Sequence, residues 1–248
     1  MVPFFFGRPE RRLWGVHRPP RGKARRTAAL LLYPGVEEYN PLHWAFRKLE
    51  SALAQGGLDV MRFDWFGTGD SAGEPEERTL DGWADDARAA EGELVDRTGA
   101  RRVVVVGMRL GAVIAARACA RGLRPHHVVM WDPIATGAPY MAELDRLHRA
   151  RKLHLLHGAR PDDGELLGYR ISRAHRRELE AIDLAREVPK GLRFDVVTPK
   201  VRDGQDRLGV TPEVVVEDDG ALTQTTGDSA VLPNRIIAAV AARVLGVA

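Results

Sequence analysis

Residues 103–112 read Val-Val-Val-Val-Gly-Met-Arg-Leu-Gly-Ala, and no other stretch limits the fold as tightly. Four consecutive valines predict a strand buried on both faces. The apolar residues from Leu110 to Cys119 predict a helix directly after it. Gly107 and Gly111 frame the bend between them in the G-x-S-x-G pattern, in which a sharp turn lifts a nucleophile above a sheet. The nucleophile position holds Arg109. An arginine keeps its proton near neutral pH and has donors but no acceptor, so it cannot attack a carbonyl.

The flanking segments repeat a strand–helix rhythm. Strands are predicted at Leu13 to His17, Ala28 to Tyr33, Asp59 to Asp64, Arg102 to Val106, His127 to Trp131, Leu192 to Val197 and Glu213 to Val216. Pro34-Gly35 stops the second strand, and Asn40 as N-cap with Pro41 at the first position predicts the helix start there. Leu42, Ala45, Phe46, Leu49, Ala52 and Leu53 keep a 3.6-residue period. A second amphipathic helix runs from near Asp81 to Gly99, with Trp83, Ala84, Ala87, Leu94 and Val95 on one face, and a last one carries Ile236, Ile237, Val240, Val244 and Leu245. Apolar strands alternating with helices imply an α/β fold with a mostly parallel sheet covered on both faces. From about residue 139 to 188 the rhythm breaks into helical, Arg- and His-rich sequence, read as a lid inserted into a single domain spanning 1–248.

Composition narrows the functional classes. The net charge is only +3, yet 32 of the 37 basic residues are Arg. That bias reflects either base composition or recognition of carboxylate and phosphate. The basic turn from Arg18 to Arg26 lacks interleaved aromatics, so no nucleic-acid partner is expected. The lone Cys119 excludes an intrachain disulfide and reads as a small core residue; no Cys/His zinc pattern is present, so neither metal nor cofactor is expected. No apolar stretch is long enough to span a membrane, and Phe4-Phe5-Phe6 is too short for a secretory signal, so a cytoplasmic protein is expected.

The chain resembles the α/β-hydrolase superfamily along nearly its whole length. It is most similar to the hydrolase-like proteins associated with exosortase A systems. The residues that carry this are Tyr33 to Asn40, the loop Gly67 to Gly73, Gly107-Met108-Arg109-Leu110-Gly111, Trp131-Asp132-Pro133, Leu147-His148-Arg149 and Glu165 to Tyr169. The resemblance implies an α/β-hydrolase fold with a helical lid and a setting in extracellular polysaccharide production. It also implies a triad in the order Ser, acid, His. Arg109 fills the first place. Asp203 or Asp206 could fill the second, or be plain surface carboxylates. The segment 218–231, where the third should lie, contains no histidine. Ser71, in Gly69-Asp70-Ser71-Ala72-Gly73, matches G-x-S-x-G by letters, but Glu74-Pro75-Glu76-Glu77 follows in place of an apolar helix, so it reads as a turn residue.

In open α/β sheets, ligands gather at the carboxyl ends of strands. Glu37 and Glu38, Asp64 and Asp132 are expected there beside Arg109. A buried guanidinium is strongly disfavoured unless paired, so Arg109 is expected to pair with Glu38 or Asp132. The backbone N–H groups of Val36 and Leu110 sit where oxyanion donors would lie. Three readings remain open. In the first the pair plugs a dead pocket; in the second Arg109 grips a small anionic molecule or an acidic partner; in the third a carboxylate (Glu38, Asp64 or Asp132) acts as base in an ester or thioester hydrolase or lyase-like enzyme, with Arg109 binding the oxyanion. His43 could join from the first helix or lie on its surface, and the basic lid is either a solvated face or an attractor of anions.

Overall fold

The computed structural model describes residues 1–155, 164–215 and 233–248, apart from the side chains of 36, 37, 39–41 and 151–155. In chain order the elements are β1 (Val2–Arg8), β2 (Arg11–Arg18), β3 (Thr27–Leu32), α1 (Val36–Gln55), β4 (Asp59–Phe63), α2 (Leu80–Thr98), β5 (Arg102–Met108), α3 (Leu110–Ala120), β6 (His127–Trp131), α4 (Gly137–Leu155), β7 (Glu165–Leu166), β8 (Tyr169–Arg170), α5 (Arg173–Glu180), α6 (Leu184–Glu187), β9 (Phe194–Thr198), β10 (Glu213–Val214) and α7 (Asn234–Val247). Eight of these strands form one sheet in the order β1-β2-β4-β3-β5-β6-β9-β10. The β1–β2 hairpin is antiparallel and joins β4 antiparallel; every pairing from β4 to β10 is parallel.

The central strands are apolar throughout because both of their faces are covered. On β5, Val103 and Val105 pack towards α2 and α3, while Val104, Val106 and Met108 pack towards α1 and α7. On β3, Leu30 and Leu32 face the first layer and Ala29, Leu31 and Tyr33 the second. Phe46 of α1 stacks between Tyr33 (centroids 4.4 Å apart) and Trp131 (6.0 Å), locking α1 onto β3 and β6. The α2 helix is capped as its sequence suggests: the Thr79 hydroxyl accepts from the Gly82 N–H, and Gly99 ends the helix at φ 64°.

Three expectations need correction. The first helix starts at Val36 rather than after Asn40, which leaves Pro41 inside it. Residues 2–8, not read as a strand, form β1 against β2. The last strand stops at Val214, and Val216 lies outside the described residues. The segment expected to form a lid lies between β6 and β9, beginning with α4 and closing with α5 and α6. No helix among the described residues is long and apolar enough to cross a membrane.

Candidate functional site

Arg109 sits at the apex between β5 and α3 with φ 51° and ψ −115°. Few non-glycine residues tolerate that conformation, and where it occurs it marks a functional or strained bend. The bend is tight because β3, β5 and α3 approach one another closely. A Cβ on Gly107 would lie 2.5 Å from the Gly111 carbonyl oxygen, and one on Gly111 would collide with the carbonyl oxygens of Leu32 and Tyr33. The backbone locks the apex further: Arg109 N–H donates to the Trp131 carbonyl (2.9 Å), and the Arg109 carbonyl accepts from Ala112 N–H (3.1 Å).

The guanidinium reaches three carboxylates. Nε donates to Glu38 at 2.8 Å, Nη2 to Glu143 at 3.1 Å and Nη1 to Asp132 at 3.4 Å. Its carbon lies 5.3 Å from the centroid of the Tyr140 ring, whose hydroxyl donates to the second Glu38 oxygen at 3.0 Å. Arg109 is 4% exposed and Asp132 fully buried. Burial opposes the guanidinium's charge, but Glu38, Asp132, Tyr140 and Glu143 outweigh it and hold the proton more tightly than usual. A second arginine completes the cluster. Arg202, in the loop after β9, grips Asp132 through two hydrogen bonds of 2.7 and 2.8 Å and lies 3.6 Å from Glu143.

Each partner is placed by its element. Glu38 lies in the first turn of α1, where the helix dipole favours a carboxylate. Asp132 follows β6 at φ 46°, its N–H bonded to the Val197 carbonyl at 2.8 Å. Tyr140 and Glu143 stand three residues apart on α4, one helical turn of the lid. The expected pairing of Arg109 with Glu38 or Asp132 is met by both residues at once. Glu143, Arg202 and Tyr140 are additions that sequence reasoning missed.

Asp64 is a correction: it does not join the cluster. Its Oδ2 accepts from the Asp70 N–H at 3.1 Å, because the close approach of Gly69 turns that loop around it. Ser71 belongs to the same loop, donating to the Asp64 carbonyl (2.6 Å) and accepting from Trp14 N–H (2.9 Å), as a turn residue should. Burial lowers the pKa of His43, Arg62 and Arg47 add to the lowering, and Glu50 opposes it. Asp203 lines the cleft at Arg109, whereas Asp206 is exposed in a 3-10 turn. Val36 and Leu110 open α1 and α3, positions whose N–H groups have no partner within their helices. The side chain of Glu37 and the segment 218–231 lie outside the described residues.

A cleft of about 280 Å³ opens at Arg109, between α4 and the loop after β9. Tyr140, Glu143, Lys200 and Arg202 line it, with Ile134 and Pro139 supplying apolar wall. Four histidine rings are engaged away from any catalytic serine: His148 accepts from Leu167 N–H, His175 faces Glu178, and His17 and His127 pair with Asp59 and Asp195. Burial pushes the Cys119 thiol up to about 12, which keeps it protonated.

A family model described as the alpha/beta hydrolase family matches residues 29–244. Among solved structures, an alpha-beta serine hydrolase homologue from Coxiella burnetii is similar over 98% of this chain and 95% of its own, at 15% identity and a TM-score of 0.59. Alpha/beta hydrolase domain-containing protein 10 from mouse is similar over 87% of this chain and 88% of its own, at 17% identity and a TM-score of 0.53. A lidless a/b serine hydrolase from Xanthomonas campestris is similar over 79% of this chain and 70% of its own, at 18% identity and a TM-score of 0.50. At such identities the likeness is one of fold. No match was found among curated proteins.

Proposed function

We propose, from the premise that the chain belongs to the alpha/beta hydrolase family, that it works by holding an anionic ligand or partner at Arg109 rather than by serine hydrolysis. One observation carries this reading: a buried, fully charged guanidinium stands where the nucleophile would stand. Its side chain fills the volume an acyl group would need, and it cannot be acylated.

The exchange that admits a ligand follows from the contacts. Glu38 and Asp132 are buried and each is held by a second partner, Tyr140 or Arg202. Glu143 is the most exposed of the three carboxylates and lines the cleft. An incoming carboxylate or phosphate takes its place, meeting Nη2 of Arg109 and the guanidinium of Arg202 in the bidentate manner these groups favour. Lys200 adds a charge at the mouth. The free N–H groups at Val36 and Leu110 offer two further donors. The narrower resemblance, to hydrolase-like proteins of exosortase A systems, belongs to this proposal. It would make the ligand an anionic intermediate of polysaccharide production and the site of action cytoplasmic.

A second reading keeps an enzyme: because the cleft reaches Arg109, a carboxylate could serve as base with the guanidinium binding an oxyanion. Its weakness is that the lone pairs of Glu38 and Asp132 are already committed to Arg109, Tyr140 and Arg202.

An activated ester and a fluorophosphonate probe test the proposal. No acyl-enzyme burst and no label are expected, whereas small carboxylates or phosphate shift the tyrosine fluorescence or the melting temperature. A stoichiometric burst that disappears in Arg109→Ala would overturn the non-hydrolytic reading.

A further inference from the structure

The amino ends of the parallel strands lie at the opposite edge of the sheet from Arg109, and they carry a concentration of arginines. Arg26 precedes β3, Arg101 precedes β5, Arg102 opens it and Arg193 precedes β9, with the His126 ring before β6. These strands are consecutive neighbours, so the row runs across three strand spacings, about 14 Å.

Two clefts follow this row. One, of about 460 Å³, is lined by Arg25, Arg26, Arg101 and Arg102, with Ala248 beside them. The other, of about 590 Å³, has Arg124, His126, Lys190 and Arg193 around a floor that includes Leu123 and Leu192. His126 joins them, since Arg102 from one cleft and Arg193 from the other both act on its ring.

Counter-charge is sparse along this edge. Many arginines elsewhere are matched to carboxylates, Arg11 to Asp86, Arg117 to Glu187, Arg207 to Asp183 and Arg243 to Glu213, while Arg12 and Arg47 rest on aromatic rings. Among the described residues, none of the seven Arg and Lys side chains of the two clefts forms a salt bridge; Arg25 donates to the Leu245 carbonyl, and Arg124 to the carbonyls of Cys119 and Leu123. Glu91 accepts from the Arg124 backbone N–H and feels the Arg124 charge without a salt bridge to it. These seven charges exceed the chain's whole net charge of +3, so the rest of the molecule is net acidic. Such polarity steers anions to one edge.

We propose that this edge binds an acidic peptide segment of a partner protein, with one apolar side chain of that segment seated over Leu192. The recessed clefts do not match a flat lipid surface. Among the described residues no Phe, Tyr or Trp lines either cleft, which removes most of the stacking that single-stranded nucleic acid relies on. The apolar floor would go unused by polyphosphate. An extended peptide of about four residues spans the row, and arginine forks accept carboxylates in pairs.

The test uses the full chain and four probes: a fluorescent peptide with a single Leu between Glu runs, an all-Glu peptide of equal length, inorganic polyphosphate, and vesicles rich in anionic lipid. The Leu-containing peptide should bind roughly tenfold more tightly than the all-Glu peptide, the effect of seating one aliphatic side chain. Its affinity should fall with added salt and drop at least about tenfold in Arg102→Glu/Arg193→Glu, with a smaller drop in the milder Arg102→Gln/Arg193→Gln. All these positions are exposed, so circular dichroism should stay unchanged. The proposal is overturned if no probe binds at micromolar concentration, or if polyphosphate or vesicles bind as tightly as the peptide. It is overturned equally if the Arg102/Arg193 variants bind normally, or if Arg146→Glu/Arg149→Glu on the lid weakens binding as much.

Discussion

Arg109 holds three carboxylates on one guanidinium, and removing it leaves acids buried without their main counter-charge. Breaking a buried ion pair from one side costs about 3–5 kcal/mol. Here Asp132 keeps Arg202 and Glu38 keeps Tyr140, so Arg109→Ala is expected at the lower end, about 3 kcal/mol. The backbone at φ 51° also strains any side chain. Arg109→Gly should therefore lose about 1 kcal/mol less than Arg109→Ala despite removing one carbon more. Urea unfolding with an unchanged m-value measures both, and equal losses would show that the strain is absent. This pairing was partly legible in the sequence, because the G-x-x-x-G frame fixes the apex and a buried guanidinium demands acids from neighbouring strand ends. Glu143 and Arg202 were not legible. They come from an Arg-rich helix and an irregular loop, where nothing local distinguishes a site residue from a solvated one.

Among the elements, α3 and α2 each contain a glycine, and the same substitution should act on them with opposite sign. Alanine is favoured over glycine within helices by about 0.5–1 kcal/mol. On α2, a Cβ at Gly92 meets nothing within 4 Å, so Gly92→Ala should stabilise by that amount. On α3, a Cβ at Gly111 strikes two backbone carbonyls of β3 and its following residue, which cannot rotate away. Gly111→Ala should destabilise by about 1–3 kcal/mol net, and thermal melts of the two variants decide. The lid element α5 carries a pH dependence. His175 is buried edge-on to Trp83 with its ring centroid 5.1 Å away. Burial lowers its pKa below the ordinary 6.5, Glu178 works the other way, and Arg78 adds to the lowering. Below about pH 6.5 the unfolded chain takes up a proton that the folded chain refuses, so stability falls as pH drops from 6.5 towards the depressed folded value. Melting temperatures at pH 7.5 and 5.5 should differ more for the wild type than for His175→Gln. The boundary of α1 illustrates why elements were read less well than their cores. Asn40-Pro41 is a sound local start signal, but starting at Val36 brings Glu38 to Arg109, and that tertiary contact outweighs the single hydrogen bond lost at Pro41. The hairpin strand β1 escaped notice for a related reason: its phenylalanines pack only once β2 is beside them.

At the scale of the whole molecule, the lid and the sheet meet through charge as well as through apolar packing. Glu143 and Tyr140 of α4 hold Arg109, Arg202 and Glu38, which belong to the turns at the carboxyl ends of the strands. A guanidinium already saturated by three acids has no capacity for a ligand unless one acid leaves, and Glu143 is the most exposed of the three. Glu143→Gln removes its charge while keeping its shape. A partly exposed ion pair contributes only up to about 1 kcal/mol, so the variant should fold, with faster hydrogen exchange in the first turns of α4. Arg109 and Arg202 then keep Glu38 and Asp132 but face the cleft with uncompensated N–H groups. Added acetate or inorganic phosphate should raise the melting temperature of Glu143→Gln by more than that of the wild type, since a ligand that binds only the folded state stabilises it by mass action. Equal shifts in both proteins would mean that anions reach the fold elsewhere, leaving Glu143 as a structural tie between lid and sheet.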